Sequence, residues 1–200
     1  KSLSRRSFLL GAIAAGVTPR LNAEDTPGAQ WLGYTEYRAN LPTRFDNQVT
    51  ARAFIVRADG SQRREVAPEL ITGPNTWTQF AGWTPDGAQA VVLSAWESPE
   101  NAAWEEAHKN FRMTEGWRLD ANLYDLASKQ VVNLTAVDRV SDYNSGLVFV
   151  PGDSGDVMFT ALIRGVSHPF LMRRDGTNKR DISQGKDAFT YGVSPSPNGR

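Results

Sequence analysis

The side chains of this 200-residue chain best suited to chemistry or recognition are two histidines, a group of glutamates and six tryptophans. His168, in Gly165-Val166-Ser167-His168-Pro169-Phe170, is of a type that could ligate a metal or act as a general base. The alternative is a hydrogen-bonded histidine in the loop of an expected hairpin. His108 stands beside Glu105 and Arg112 in a predicted helix, where a packing or surface role suits it equally. With two histidines and no cysteine, these residues do not complete a histidine-rich metal site, and no metal or cofactor is expected. Glu97, Glu100, Glu105 and Glu106 surround the predicted helix start, where each acid opposes the helix dipole by roughly 0.3–1 kcal/mol. Without a facing partner they are not the carboxylate pair of a glycosidase. No G-x-S-x-G, P-loop or H-E-x-x-H pattern occurs, so no catalytic residue is assigned. Trp83, by its place in a repeated motif, and Trp31 and Trp77, near strand starts, are expected in the core. Trp96, Trp104 and Trp117 flank or lie within a predicted insertion and, with His168, are the candidates for a binding surface.

Composition narrows the classes. Twenty-two basic groups against 22 acidic ones carry no net charge, which argues against a nucleic-acid partner. Hydrophobic residues at 40% and charged ones at 22% describe a globular chain. The lack of cysteine excludes disulfides, a thiolate nucleophile and a lipidated cysteine.

Residues 1–23 read as an address rather than as fold. Lys1, Arg5 and Arg6 precede a ten-residue apolar run, Phe8 to Val17. A helix needs roughly 20 residues to span a bilayer, so no membrane span is expected. Leu21-Asn22-Ala23 predicts cleavage between Ala23 and Glu24. Ser4-Arg5-Arg6-Ser7-Phe8-Leu9-Leu10 resembles the twin-arginine export signal S/T-R-R-x-F-L-K, departing at Leu10. The resemblance implies recognition of Arg5, Arg6, Phe8 and Leu9 by the twin-arginine translocase. It also implies export of a folded protein to a bacterial periplasm or beyond. The signal holds four basic and no acidic groups, which leaves 18 against 22, a net of −4.

The remainder reads as short strands: Gln30 to Tyr37, Ala51 to Arg57, Ala88 to Ala95, Ala121 to Leu126, Leu147 to Val150, Asp156 to Leu162 and Pro169 to Arg173. Between them stand Asp59-Gly60, Asp86-Gly87, Asp175-Gly176 and Asn198-Gly199, expected to form two-residue hairpin turns with both central residues at positive φ. An all-β antiparallel protein follows.

Internal repetition organises these strands. The ten residues Arg57 to Val66 align without gaps to Arg173 to Ile182, with Leu123 to Thr135 as a weaker middle copy. A second signature runs out of phase: Gly82-Trp83-Thr84-Pro85-Asp86-Gly87, then Phe149-Val150-Pro151-Gly152-Asp153, then Val193-Ser194-Pro195-Ser196-Pro197-Asn198-Gly199. Each unit is three strands joined by hairpins, with a linker strand leading into the next proline turn. Four antiparallel strands repeated every 40–50 residues or so make a β-propeller blade. The pattern resembles the TolB-like, or WD40-like, propeller repeat F-S-P-D-G-x-x-I-A-F, followed by L-Y-x-x-D-x-D-G and L-T. Its counterparts are Trp83 to Gly87 with Ala90-Val91-Val92-Leu93, then Leu123-Tyr124-Asp125, then Asn133-Leu134-Thr135. The resemblance covers Gln30 to Arg200. Gly152-Asp153 departs from it, and so does the excess length of the first full blade.

That excess, about 97–120, contains Ser98-Pro99-Glu100, a strong helix opening, followed by Asn101 to Phe111. Trp104, Ala107, His108 and Phe111 share its predicted apolar face. The expected organisation is therefore a signal at 1–23 and, over 24–200, the N-terminal part of a propeller with about three blades, from a longer protein. As TolB-like propellers do, it is expected to bind a periplasmic protein or small ligand without catalysis. The alternative is the propeller of an enzyme, either an oligogalacturonate-lyase-like lyase or the cap of a prolyl-oligopeptidase-like peptidase. The resemblance would then imply clustered histidines or a serine elbow in further sequence.

Overall fold

A computed structural model describes residues 30–38, 50–110, 112, 116–136, 147–152, 155–163, 166–185, 190 and 192–198. The export-signal residues Arg5, Arg6, Phe8 and Leu9, the cleavage pair Ala23 and Glu24, and also Phe111 and Gly199, lie outside the described residues. Among the described residues no helix is long and apolar enough to cross a membrane.

Among the described residues the strands form three antiparallel sheets. The first has the order β1 (Trp31–Glu36), β2 (Arg52–Arg57) and β3 (Arg64–Glu65). The second runs β4 (Thr76–Trp83), β5 (Gln89–Glu97), β6 (Trp117–Asp125) and β7 (Val131–Asn133). The third runs β8 (Val148–Phe149), β9 (Asp156–Ile163), β10 (Val166–Arg173) and β11 (Arg180–Asp181). Each expected run contains a strand, and every pairing joins consecutive strands, the meander of a propeller blade. The insertion is shorter than expected: β5 extends to Glu97 and β6 begins at Trp117, leaving only 98–116 between them. It holds one helix, α1 (Pro99–His108), whose first turn is capped by Ser98 Oγ accepting from the Asn101 N–H at 3.2 Å.

The hairpin turns differ from expectation. The Gly60 N–H donates to the Arg57 carbonyl, Gly87 to Thr84 and Gly176 to Arg173, each at 2.8 Å. Only the glycine of each Asp-Gly pair has positive φ, at 84°, 70° and 83°. These are type I turns closed by a left-handed glycine, not two-residue turns with both centres inverted. The extra residue forms a bulge, so Arg57 N–H reaches the Ser61 carbonyl and Arg173 N–H that of Thr177. In the middle copy Asp125 N–H reaches Gln130, one residue further, which is why that copy aligns less well.

The sheets cohere through their faces. Val91, Leu93, Ala121 and Leu123 of the second sheet share a core with Val157, Phe159, Phe170 and Met172 of the third. The opposite face of the second sheet, with Ala90, Val92 and Tyr124, packs on Ala53, Ile55 and Val66 of the first. Burial on both faces explains the unbroken apolar run of β5. Gly33 lets β1 approach β4: a Cβ there would lie 2.0 Å from the Phe80 ring. Of the tryptophans expected in the core, Trp77 is buried, whereas Trp31 and Trp83 are partly buried at the edge of the core joining the first two sheets.

Arg174 reaches across sheets to Asp86 Oδ2 at 2.9 Å and Gln89 Oε1 at 2.8 Å. Hydrogen bonds from Thr84, then from Arg174 and the Ala88 N–H, hold the Asp86 carboxyl well below the usual carboxylate range. The same turn recurs where Ser196 Oγ donates to Asn198 Oδ1 at 3.0 Å.

Two variants probe this packing. Phe159→Ala should lower unfolding free energy by about 3–5 kcal/mol in urea denaturation, because its ring is fully buried. Asp86→Asn should cost about 0.5–1 kcal/mol at pH 7, the scale of an exposed pair. Because folding lowers this carboxyl's pKa, its contribution is complete above about pH 4 and fades as pH falls. The difference between variant and parent should therefore shrink between pH 7 and pH 3.

Candidate binding site

Period-2 alternation lines up polar side chains on one face of the second sheet. On β5 these are Ser94 and Trp96, and on β6 they are Arg118, Asp120 and Asn122. The register pairs Ser94 with Asp120, Trp96 with Arg118 and Val92 with Asn122. Thr76 of β4 stands opposite Trp96. The turn at Pro68–Leu70 closes the far side with Glu69 and Leu70, leaving a groove of about 410 Å³ over this face of the second sheet. Trp96 is 40% exposed, with the Arg118 guanidinium 5.5 Å from its ring centroid.

Asn122, at the groove's floor, is 1% exposed. Its Nδ2 donates to the Val92 carbonyl at 3.1 Å, Ser94 Oγ at 3.0 Å and the Asp120 carbonyl at 3.3 Å. Its Oδ1 is buried and has no hydrogen-bond partner among the described residues. Two of those acceptors are backbone carbonyls, so the amide cannot turn over without losing them. Asp120 Oδ1 accepts from Thr135 Oγ1 at 2.9 Å, and the Lys179 amine contacts the Thr135 carbonyl. Burial pushes Lys179 down, and the Asp120 charge opposes that shift.

Helix α1 is tied to this end of the same sheet by polar groups. Asn101 Nδ2 donates to Glu97 Oε1 at 2.8 Å and Glu105 Oε1 at 3.0 Å. Glu105 Oε1 also accepts from the Arg112 N–H at 2.6 Å and Trp117 Nε1–H at 3.3 Å. Glu97 and Glu105 are buried, not solvated acids opposing the helix dipole. The buried helix positions are Asn101 and Glu105, whereas Ala107 and His108, from the expected apolar face, are exposed. Trp117, expected at a binding surface, is 1% exposed and packs against Trp77. The pairs Trp96–Arg118 and Glu97–Trp117 are adjacent in register, so Trp96 and Trp117 point to opposite faces. Trp104 is stacked on His108 with the Arg112 guanidinium 4.1 Å from its ring, so side chains already cover it.

His168 lies within β10, not in a hairpin loop, and is 8% exposed. Its Nδ1–H donates to Asp181 Oδ2 at 2.6 Å, and Ser183 Oγ is 3.5 Å from the same nitrogen. A nucleophile relay needs serine and acid on different ring nitrogens, so this trio is not one. Burial would push the Asp181 carboxyl up, but hydrogen bonds from His168 and Ser183 hold it below the usual range. Counting back five residues from Arg57, Asp125 and Arg173 puts Arg52, Asp120 and His168 at one repeat position. Each has a polar partner on the next segment: Glu65 at 4.0 Å, Thr135 and Asp181. His168 is thus one case of a structural pair built into every sheet. The groove is distant from the turns: Pro85, Asp86 and Gly87 begin β5, while Trp96 stands at its other end. Asp59 and Gly60, Pro151, Asp175 and Gly176 occupy corresponding sheet-end turns, and Pro197 and Asn198 form a further one.

Sequence reasoning missed Ser94, Arg118, Asp120 and Asn122. A signal was present in the repeat. Three residues before Arg57, Asp125 and Arg173 stand Phe54, Asn122 and Phe170, so the middle copy replaces a ring by an amide.

Stacked antiparallel meanders, one of which carries a groove of polar and apolar side chains, define an all-β protein of the β-propeller class. No family model matches the sequence, and no curated protein does. Among solved structures the chain is similar to TolB from Acinetobacter baumannii, with TM-score 0.47 and 16% identity over 76% of this chain and 30% of that one. It is similar to a putative TolB from Agrobacterium tumefaciens at TM-score 0.45 and 16% identity, covering 78% of this chain and 43% of that one. For the tricorn protease the figures are 0.32 and 12%, covering 80% and 18%. The chain spans less than half the length of each.

Glu105→Ala would strand the donors of Asn101, Arg112 and Trp117 in the interior. It should lower stability by about 2–4 kcal/mol in urea denaturation, against at most about 0.5 kcal/mol for the exposed neighbour Glu106→Ala.

Proposed function

We propose that this chain belongs to an exported, non-catalytic β-propeller that holds a ligand or protein segment in the groove beside Trp96. One observation carries the reading: an exposed indole stands over a polar groove whose buried floor contains an unsatisfied acceptor, Asn122 Oδ1. Buried polar atoms are normally paired, so an unmet acceptor sealed at the floor of a groove marks a departure from packing at the place where a partner would sit. The site stands on two central strands of a sheet packed on both faces, a rigid support suited to recognition. The TolB-like repeat pattern supports the scaffold reading, and the twin-arginine pattern at Arg5 and Arg6 supports export to the periplasm.

Two experiments test this. Full-length protein purified natively from the periplasm should release, on denaturation, a bound molecule that mass spectrometry finds chemically unchanged after re-incubation with fresh protein. Conversion of that molecule, or cleavage of a polysaccharide or peptide substrate, would overturn the scaffold reading in favour of an enzyme. Replacing Arg5 and Arg6 together by lysine should leave the protein in the cytoplasm with its signal uncleaved, as read by fractionation and immunoblotting. Undiminished periplasmic recovery would remove the twin-arginine route.

A further inference from the structure

We infer that the groove over the Trp96 face of the second sheet is a subsite for a neutral saccharide, a deepening that rests on the binding reading above. Ser94 aligns with Ala161 through the register of β5 and β9, and Asn122 with Phe54 and Phe170. In the third sheet the phenylalanine fills this position, stacked on Phe159 at 5.3 Å. In the second sheet a hydroxyl and an amide stand there instead, and a groove opens beside them. Exchanging an apolar ring for an amide whose Oδ1 is left unpaired forgoes burial and leaves an acceptor unmet. Such a departure is what a recognition site costs in a repeat built for packing.

The chemistry of the lining selects the ligand. A sugar ring presents an apolar C–H face and a rim of hydroxyls, each able to donate and accept. The exposed indole of Trp96 offers an apolar plate for the C–H face. Asn122 Oδ1, sealed under the floor beside Ser94, is an unmet acceptor that a ligand hydroxyl supplies with a donor once the floor side chains shift to admit it. Ser94 Oγ already accepts from Asn122, so its own proton is directed to an incoming oxygen. Asp120 and Arg118, two residues apart on β6 and on the same face, supply a planar acceptor and a planar donor fork for vicinal hydroxyls. Two carboxylates, Asp120 and Glu69, against the single guanidinium of Arg118 oppose an anionic ligand, which favours a neutral one. The volume, about 410 Å³, lies within the range of small-ligand clefts and suits a short oligosaccharide. Leu70 and Val131 line the groove beside its hydroxyl, amide and charged groups, so the wall is amphipathic, as the two faces of a sugar ring are.

The test uses full-length protein with maltotriose, cellotriose and triacetylchitotriose as probes, and trialanine as the contrasting peptide, measured by isothermal calorimetry. At least one trisaccharide should bind in the micromolar to millimolar range, and trialanine should not. Trp96→Ala should keep a single cooperative urea transition and weaken that binding about tenfold or more, roughly 1.4 kcal/mol. Trp104→Ala, outside the groove, should leave affinity within about twofold. Ser94→Ala should weaken binding less than Trp96→Ala. Failure of all three sugars, preference for the peptide, or binding indifferent to Trp96→Ala would overturn the assignment. A non-saccharide recovered from native protein whose retention depends on Trp96 would also overturn it, while leaving the binding reading intact. Retention indifferent to Trp96 would remove both.

Discussion

No sheet in this protein can bury its own apolar faces; each depends on the sheet beside it. The second sheet shows the constraint most clearly. Alternate residues of β5 send Ala90 and Val92 into one core and Val91 and Leu93 into another, so the strand is apolar on both sides. An isolated four-stranded sheet with such strands would expose both faces to water, at roughly 25 cal/mol for each Å² left uncovered. Stacking removes that exposure and sets the close approach of β1 to β4 at Gly33 and Phe80. Arg174, bridging to Asp86 and Gln89, adds a polar tie between the second and third sheets at their turn end.

Within this stack, repeat positions become comparable, and differences between copies become informative. Arg52, Asp120 and His168 share a position and a habit of pairing with the following segment. That shared habit turns His168 from a candidate base into a strut. Phe54, Asn122 and Phe170 also share a position, but here the middle copy departs in chemistry, and a groove stands beside the departure. The same comparison thus lowers the claim of a histidine and raises that of an asparagine.

The insertion follows a different rule. Its helix holds to the sheet through hydrogen bonds among Glu97, Asn101, Glu105 and the indole N–H of Trp117. Buried carboxylates contribute only when their hydrogen bonds are satisfied, and such networks fix one geometry more than they add stability. Anchoring α1 this way holds the ends of β5 and β6, and with them Trp96 and Arg118, in place beside the groove.

Local chemistry made much of this protein legible before any fold was known. Alternating β-branched residues marked the strands, Asp-Gly pairs marked the hairpins, and Ser98-Pro99 marked the helix start, because each depends on a residue and its near neighbours. Even there the turn type was misjudged, since strand twist and bulging, not the dipeptide, decide how many residues invert. What lay beyond the sequence was the direction of each face. Trp96 and Trp117 flank the same insertion, yet one lines an open groove and the other is sealed in a core. Glu105 looked like a surface acid, and Asn122 like an ordinary strand residue. Periodicity assigns residues to the two sides of a strand but cannot say which side meets a neighbour, a helix or solvent. That choice belongs to the stacking of sheets distant in sequence, and so to the tertiary structure alone.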